Sequence, residues 1–241
     1  EEAKIYPFSG QITGFHVTDS LNITAVYHGD SSAVIRSSDG GRSWSLIAPT
    51  PVGYASQVSF VTKDTFFIGA SYPVATYKTF DGGLTWTEAI MPPGYVHIRD
   101  MHFFDSKFGY ALLNVSVGSF TVLMKTTNGG LNWRVLDSTY NTVNSFKFND
   151  RLEGWLFGNQ LRHTTDGGNS FTQVGLPPGL ENAWSMDIIS DSIIVVGGSK
   201  TVPIPPYFFE YAPHMAFSTD RGVSWNVQDF SNSYLRGVPS D

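Results

Sequence analysis

The sequence predicts an all-β protein, a β-propeller built from four-stranded antiparallel blades, and three observations support this prediction. An eight-residue motif occurs five times, and its third residues are spaced 42, 47, 38 and 54 positions apart. The mean period of about 45 residues is the length of a four-stranded propeller blade. Short apolar or β-branched runs separated by turn residues fill each period, and no segment has a sustained helical periodicity.

Each repeat is expected to contain four strands. A first apolar run covers residues 12–17, 57–61, 98–104, 143–148 and 186–189, and a second covers 23–27, 65–68, 110–113, 154–157 and 193–196. The third run leads into the motif, and the fourth begins at the aromatic residue of the motif. We therefore predict one domain over residues 1–241, with blades at about 10–50, 53–91, 95–138, 140–176 and 183–229.

The five motif copies are SSDGGRSW, TFDGGLTW, TTNGGLNW, TTDGGNSF and STDRGVSW. In each copy a Ser or Thr begins a turn, in which an Asp or Asn side chain can accept backbone N–H bonds. The fifth residue is always glycine, which tolerates a backbone conformation that a Cβ would disfavour. We expect the final aromatic residue to pack beneath the hairpin. The predicted structural residues are Asp39, Asp81, Asn128, Asp166 and Asp220, with Trp44, Trp86, Trp133, Phe171 and Trp225.

This motif resembles the Asp-box, or bacterial neuraminidase repeat, whose pattern is S/T-x-D-x-G-x-T/S-W. Its copies cover residues 37–225, and Asn128 and Phe171 depart from the pattern. Longer phrases, such as IRDMHFFDSKFGYALL before MKTTNGGLNW, resemble the photosystem II stability/assembly factor-like propellers. The resemblance implies that each motif joins the third and fourth strands of a blade. It also implies a scaffold or binding role without identifying the partner.

The last repeat is followed by YLRGVPSD, residues 234–241, which resembles the first strand of a further blade. Two alternatives stay open: the chain is part of a longer propeller, or its terminal strands together complete one blade. An open propeller would need additional sequence or a partner to cover its edges.

Composition excludes several classes of protein. The 241 residues carry a formal net charge of −6, which argues against general nucleic-acid binding. There is no cysteine, so disulfides, thiolate metal sites and cysteine nucleophiles are excluded. Aromatic residues reach 15%, which predicts a sizeable core or a binding face. No apolar run approaches the ~18 residues of a membrane span, and no cofactor or metal pattern is present.

Aromatic residues also recur near the start of the first strands, at the face opposite the motifs. They either pack between blades or line a pocket for a small molecule or peptide. A long insertion, residues 199–213, is expected to form a proline-stiffened loop on the same face, where it binds a partner or covers an edge. The predicted binding residues are Tyr54, Tyr95, Tyr140, Trp184 and Arg99, with Tyr207, Phe208, Phe209 and Tyr211 from the insertion.

Cationic residues precede the first three motifs. Arg36, Lys78 and Lys125 occupy equivalent positions in successive repeats. They are either ordinary solvated strand ends or a basic arc that attracts an acidic peptide or glycan.

The function expected from these features is a non-enzymatic scaffold that binds a protein or peptide, in an extracytoplasmic setting. The alternatives are a carbohydrate-binding propeller, as a lectin or a sialidase-like glycosidase, and a structural module of a longer secreted protein. The Arg-Ile-Pro motif of sialidases is missing, but only three-dimensional structure can test carboxylate pairs for glycosidase chemistry. The sequons at Asn22 and Asn114 would accept N-glycans in a secreted eukaryotic protein.

Overall fold

The computed structural model describes residues 10–29, 31–71, 73–116, 120–139, 143–190, 192–204 and 208–229. In these ranges the chain forms strands and turns and no helix. The predicted residues Tyr140 and Tyr207 and the segment 234–241 lie outside the described residues. The strands are β1 (Gln11–Val17), β2 (Ile23–His28), β3 (Ser32–Ser37), β4 (Ser45–Pro49), β5 (Ala55–Phe60), β6 (Phe66–Ser71), β7 (Val74–Thr79), β8 (Thr87–Ile90), β9 (Tyr95–Phe103), β10 (Gly109–Val115), β11 (Thr121–Thr126), β12 (Arg134–Thr139), β13 (Val143–Phe148), β14 (Gly154–Gly158), β15 (Leu161–Thr164), β16 (Thr172–Val174), β17 (Asn182–Ile188), β18 (Ile194–Ile204), β19 (Phe208–Ser218) and β20 (Asn226–Asp229).

The strands form five four-stranded antiparallel sheets, and each sheet takes four consecutive strands in order. We number the sheets 1 to 5, from β1–β4 to β17–β20. The predicted first and second runs fall on the first two strands of each sheet, and each motif joins the third strand to the fourth. The all-β fold class with five four-stranded antiparallel sheets is thereby confirmed.

The chain divides into two compact units, Glu1–Ser138 and Thr139–Asp241. In the first unit, Val26 and Val34 of sheet 1 pack in one cluster with Phe66 and Ile68 of sheet 2. Phe67 of sheet 2 packs against sheet 3, where its ring stacks on that of Phe103 at a centroid distance of 3.5 Å. Each sheet of this unit therefore covers one face of the next.

The second unit has its own core between sheets 4 and 5. Trp155 and Leu161 of sheet 4 pack in one cluster with Met186, Val196 and Ala216 of sheet 5. Trp155 is only 2% exposed. Burial of this large ring is a main source of hydrophobic stabilisation in the unit.

Every first strand contains a β-bulge at the same place. The register with the second strand shifts by one residue in all five sheets. A bulge leaves one residue without a partner and redirects its side chain. The residues bulged at this shared place are Thr13, Ser56, Arg99, Asn144 and Trp184, and β9 has a second bulge at Val96.

Candidate functional site

The motif turns are held by hydrogen bonds between their own residues. In the second copy, Thr79 Oγ1 donates to Asp81 Oδ1 at 2.8 Å and accepts from the Gly83 N–H at 2.9 Å. Thr85 donates its N–H to Asp81 Oδ1 at 2.9 Å and its hydroxyl to Asp81 Oδ2 at 2.6 Å. Trp86 Nε1 donates to the Gly83 carbonyl at 3.0 Å. Both oxygens of the carboxylate are therefore occupied inside the turn.

Four copies share this carboxylate geometry, and its electrostatic result is the same in each. The hydroxyl bond from the residue four positions on, then the backbone bond from that residue, lower the pKa of each carboxyl to about 2. In the third copy, Asn128 Oδ1 accepts from the Asn132 N–H at 2.9 Å, so a neutral amide forms the same turn. The four carboxyls are those of Asp39, Asp81, Asp166 and Asp220.

The three predicted arc cations make contacts within the first unit. Arg36 Nη2 lies 2.8 Å from Asp64 Oδ1 and donates to the Lys63 carbonyl at 3.2 Å. The ammonium of Lys78 lies 4.9 Å from the centroid of the Phe80 ring, and burial lowers the pKa of Lys78. The ammonium of Lys125 lies 4.8 Å from the centroid of the Phe108 ring. These contacts favour a structural role for the three cations, and the basic arc stays a prediction.

The predicted binding residues of the first unit have different surroundings. Tyr54 is 53% exposed, and its ring meets the ring of His28 edge-on at a centroid distance of 4.5 Å. Tyr95 packs against the core between sheets 2 and 3, and burial raises the pKa of its hydroxyl. The carbonyl of the bulged Arg99 accepts a bond from Gln57 Nε2 at 2.7 Å. Of these three residues, Tyr54 is the most exposed to a partner.

The two sequons also differ. Asn22 is exposed in the turn between β1 and β2, where its Nδ2 donates to both carboxylate oxygens of Asp19. Asn114 lies within β10, and its Oδ1 is buried without a hydrogen-bond partner among the described residues. The use of either sequon stays a prediction.

A groove on sheet 5 is the strongest candidate site in the second unit. We call it the Trp184 groove; its volume is about 530 Å³. Trp184 is 56% exposed and Met215 is 43% exposed, so two large apolar side chains face solvent there. The lining residues are Trp184, Ser185, Met186, Asp187, Val195, Gly197, Gly198, Pro213, His214 and Met215.

The Trp184 side chain is fixed although it is exposed. Trp184 is the bulged residue of β17, and it lies between the pairs Ala183–Gly198 and Ser185–Gly197. The indole Nε1 donates to Ser199 Oγ at 2.9 Å, which satisfies the one polar atom of the ring. The bulge and this hydrogen bond together hold the ring at the groove.

Two adjacent glycines, Gly197 and Gly198, line the Trp184 groove. A Cβ on Gly197 would lie 2.6 Å from Ser185 Oγ, and a Cβ on Gly198 would lie 2.1 Å from the Asn182 carbonyl oxygen. A side chain at Gly198 would therefore displace the backbone of β17, whereas one at Gly197 would require the Ser185 hydroxyl to rotate away. These glycines were not among the predicted site residues, although adjacent glycines inside a strand indicate a close backbone approach or a site.

Each carboxylate near the groove has a hydrogen-bond partner, Lys147 for Asp187 and Thr201 for Glu181. Lys147 Nζ lies 2.8 Å from Asp187 Oδ1, and its hydrogen bond lowers the pKa of Asp187. Glu181 Oε2 accepts from the Thr201 hydroxyl at 2.6 Å, which lowers the pKa of Glu181. Both groups are ionised at neutral pH, a state unsuited to a general acid. In the described part of the chain, no three His, Asp or Glu side chains cluster in a way that could hold a metal ion.

The predicted loop at residues 199–213 is wrong, because residues 199–204 and 208–213 extend β18 and β19. The two strands have 11 residues each and pair from Ile194–Ser218 to Ile204–Phe208. We call residues 200–204 and 208–213 the β18–β19 ribbon. β-Branched and aromatic residues favour strands, and proline is tolerated where its nitrogen faces an edge. The side chains of Phe208, Phe209 and Tyr211 lie outside the described part of the structure.

Comparisons with known proteins support the fold. No protein-family model matches the chain, and no curated protein matches it. The structure of YCF48 bound to D1 peptide is similar, with 17% identity over 98% of this chain and 86% of that one, at a TM-score of 0.55. The GH74 enzyme of Niastella koreensis is 14% identical over 90% of this chain and 38% of that one, at a TM-score of 0.66. The WD40 propeller domain of Doa1 is 9% identical over 80% of this chain and 64% of that one, at a TM-score of 0.58.

These likenesses confirm the predicted β-propeller fold class. At such low sequence identity these similarities show the fold and nothing about function. This chain spans less than two fifths of the GH74 enzyme. Among the residues that the structure describes, no helix has the length and apolar character needed to cross a membrane.

Proposed function

We propose that this protein is a non-enzymatic recognition scaffold that binds a protein or peptide partner at the Trp184 groove. The observation that carries the proposal is a tryptophan that is more than half exposed yet held by a bulge and a hydrogen bond to Ser199. Tryptophan is enriched among residues that dominate binding energy. A ring that is already fixed loses little conformational entropy when a partner binds.

The groove suits an apolar side chain of the partner. Met186 and Met215 line it together with Pro213, and methionine adapts its shape to varied ligands. A volume of about 530 Å³ lies within the usual range of ligand sites. The YCF48 structure with a D1 peptide supports the proposal as an example of a peptide complex on a similar fold.

Two further expectations belong to this proposal. The hydrogen bonds of the motif turns support an assignment of the five motifs to the Asp-box, with a structural role. The low charged fraction of 15% and the high aromatic fraction of 15% support an extracytoplasmic setting. We also expect the aromatic residues of the insertion, Tyr207, Phe208, Phe209 and Tyr211, to contribute contacts with the partner.

A peptide library tests the proposal. Random 12-residue peptides displayed on phage are selected against the immobilised protein, and the affinity of the selected peptides is measured in solution. We expect Trp184→Ala to weaken binding at least tenfold while the protein stays folded, with a melting temperature lowered only by the loss of the hydrogen bond to Ser199. The matched control is Val223→Ala, another exposed apolar residue of the second unit at 85% exposure, which is expected to change affinity less than twofold.

Two results would overturn the peptide-binding proposal. One is a selection that yields no peptide with measurable affinity for the folded protein. The other is equal affinity of the wild type and Trp184→Ala for every selected peptide.

Carbohydrate binding is the second candidate, because an exposed indole face can stack on a sugar ring and the GH74 neighbour is a glycosidase-class enzyme by its name. A glycan array separates lectin activity from peptide binding, and fluorogenic glycosides, including a sialoside, test hydrolysis. Glycan binding that is lost in Trp184→Ala would favour this candidate. No signal in either assay would reject it.

A further inference from the structure

The turn of the third motif, which we call turn 3 (residues 126–133), differs from the other four motif turns at two linked positions. The other copies place a Ser or Thr four residues after the aspartate, and its hydroxyl donates to the second carboxylate oxygen at 2.5 or 2.6 Å. Turn 3 has Asn128 and Asn132 at these positions. Asn128 Oδ1 accepts from the Asn132 N–H at 2.9 Å and from the Thr126 hydroxyl at 3.1 Å. Turn 3 therefore keeps the bonds to one oxygen of an Asp turn but carries no charge.

The backbone places equivalent residues beside turn 3 and beside the turn of the second motif, which we call turn 2 (residues 79–86). In each turn the first glycine of the motif donates its N–H to the loop that joins the first two strands of the same sheet. Gly82 donates to the Asp64 carbonyl at 2.9 Å, and Gly129 donates to the Lys107 carbonyl at 2.7 Å. Asp64 and Lys107 are therefore equivalent neighbours of the two turns, with opposite charges.

A cation of the preceding sheet reaches the same glycine in each turn. A Cβ on this glycine would collide with Arg36 Nη2 in turn 2 and would lie 2.6 Å from Lys78 Nζ in turn 3. In turn 2, Asp64 forms ion pairs with Arg36 at 2.8 Å and with Lys63 at 2.6 Å. Among the residues that the structure describes, neither Lys78 nor Lys107 forms an ion pair with a carboxylate. The cations are thus neutralised beside turn 2 but not beside turn 3.

One carboxylate lies in the same loop as Lys107. Asp105 Oδ1 accepts the N–H groups of Lys107 and Phe108 at 2.7 and 2.8 Å, so this carboxylate is held in its own loop. Its charge balances one of the two lysines. The other positive charge stays unbalanced, and it would stabilise an ionised carboxylate at position 128.

Asn128 is followed by glycine, and Asn128–Gly129 is the only Asn-Gly pair among the 241 residues. Because glycine has no Cβ to obstruct the approach, the Gly129 nitrogen can attack Cγ of Asn128. This attack forms a five-membered succinimide, and the N–H proton leaves with the amide nitrogen as ammonia. Water then opens the ring. Cleavage of the bond from nitrogen to Cγ gives aspartate, and cleavage of the bond from nitrogen to the main-chain carbonyl carbon gives isoaspartate.

The folded turn restrains both reacting groups. Gly129 is buried, and its N–H is bonded to the Lys107 carbonyl, so the nitrogen cannot lose its proton without breaking that bond. The Thr126 hydroxyl donates to the Asn128 side chain and accepts from the Gly130 N–H at 3.0 Å. Ring closure would break these bonds, so we expect the reaction to proceed from a turn that has opened.

We infer that Asn128 is a site of spontaneous deamidation, that its aspartate product completes a fifth Asp turn stabilised by Lys78 and Lys107, and that the folded turn restrains the reaction until it opens. This inference is independent of the proposed peptide binding. The aspartate form gains one negative charge and keeps the turn. The isoaspartate form carries the main chain through Cγ, which lengthens the backbone by one atom, and it is not expected to close the turn.

The rate of deamidation tests the restraint by the fold. The full chain is incubated at mildly alkaline pH, folded or in concentrated urea, and peptide mapping by mass spectrometry follows the conversion of Asn128 to aspartate and isoaspartate. We expect conversion to be at least tenfold faster in urea. Thr126→Val removes both bonds of the turn hydroxyl and is expected to accelerate conversion in the folded protein at least tenfold. The matched control is Thr79→Val, the same change in turn 2, which is expected to alter the rate less than twofold. Circular dichroism checks that both variants keep their strands.

Thermal melts at neutral pH test the product. Asn128→Asp reproduces the aspartate form and is expected to raise the melting temperature, because the new carboxylate offsets the unbalanced positive charge. The gain is expected to fall by at least half in a Lys78→Met background, which keeps an unbranched apolar stem but no charge. The matched control is Asn132→Asp, which adds the same charge to an exposed residue of turn 3 and is expected to give less than half of the gain.

Several results would overturn the inference. Equal conversion of Asn128 in the folded and unfolded chain, or equal rates in Thr126→Val and Thr79→Val, would show that the folded turn does not restrain the reaction. A melting temperature of Asn128→Asp at or below that of the wild type would show that turn 3 does not favour a carboxylate. A gain that is unchanged in the Lys78→Met background would reject the role of the lysine.

Discussion

Sheets 1 and 2 carry the same repeat, yet the same face is covered in sheet 2 and exposed in sheet 1. In sheet 2, Phe60 and Phe66 pack in one cluster with Val26 and Val34 of sheet 1. By strand register, Val17 of sheet 1 corresponds to Phe60, because each is paired with the first residue of its second strand. Val17 is 52% exposed.

The exposed face of sheet 1 is an apolar groove of about 380 Å³, lined by residues that include Ile12, Phe15 and Trp44. Phe15 is 64% exposed. The comparison teaches that burial depends on which sheet lies next to a face. The energetic weight of a residue therefore cannot be derived from its place in the motif alone.

The largest contrast is expected between buried and exposed phenylalanines. Phe66 is fully buried, with its ring centroid 4.6 Å from that of Phe60 and 5.4 Å from that of Trp86. Phe66→Ala is expected to lower the free energy of unfolding by about 3–5 kcal/mol, and Phe15→Ala by less than about 0.5 kcal/mol. Urea unfolding followed by tryptophan fluorescence measures both. Similar losses would show that another surface covers Phe15 in solution.

Glycines in the motif turns give a second contrast. Gly41 and Gly83 both have positive φ, +87° and +98°, so alanine at either is expected to cost about 1–2 kcal/mol from the backbone alone. A Cβ on Gly83 would lie 2.6 Å from Val34 Cγ2, whereas the nearest atom for Gly41 is 3.8 Å away. Gly83→Ala is therefore expected to destabilise more than Gly41→Ala in urea unfolding.

The steric part of this contrast has its own control. Val34→Ala removes the methyl group that Gly83→Ala would meet, so the two changes together are expected to cost less than the sum of their separate effects. Additive losses would contradict the contact between the turn of sheet 2 and β3.

The Asp turns of the two sheets are expected to respond equally to pH. The folded pKa of Asp39 and of Asp81 is about 2, below the ordinary value of 3.8. Their stabilising contribution is therefore full above about pH 4 and is lost as the pH falls towards 2. Asp39→Asn and Asp81→Asn are expected to reduce the drop in melting temperature between pH 5 and pH 2 by the same amount. Unequal reductions would show that the neighbouring sheet affects the turn.

The smallest expected effect concerns the fifth turn. Arg221 has a φ of +60°, in the position where the fourth copy has Gly167 at +72°. A residue with a Cβ is strained in this region, so Arg221→Gly is expected to stabilise by about 1 kcal/mol. A thermal melt measures the gain. A loss of stability would show that contacts of the arginine side chain outweigh the backbone strain.

Local chemistry made the fold predictable. The motif predicts its own turn, because the Ser or Thr, the Asp and the glycine that are joined by hydrogen bonds lie within five residues. The bulges also had a signal: apolar residues three and then two positions apart, as in Ile12, Phe15 and Val17 or Ala183, Met186 and Ile188. An unbroken strand would space them by two throughout, so the extra residue marks the bulge.

Long-range contacts limited prediction of the site. Arg36 meets Asp64 across 28 residues, and no sequence pattern pairs them. The Trp184 groove depends on two glycines lying opposite Ala183 and Ser185 across β17 and β18, which a single strand does not reveal. The ribbon was predicted to be a proline-stiffened loop, although its described residues pair as two antiparallel strands.

The order of the sheets along the chain has a consequence for biosynthesis. Each sheet takes four consecutive strands, so its strands can pair soon after its own residues leave the ribosome. Within the first unit, sheet 1 is complete before Phe66 of sheet 2 is made, and it already presents Val26 and Val34 as a cover. Within the second unit, Trp155 precedes Met186 in the same way. We therefore expect each nascent apolar face to meet a finished neighbour, which shortens its exposure to aggregation.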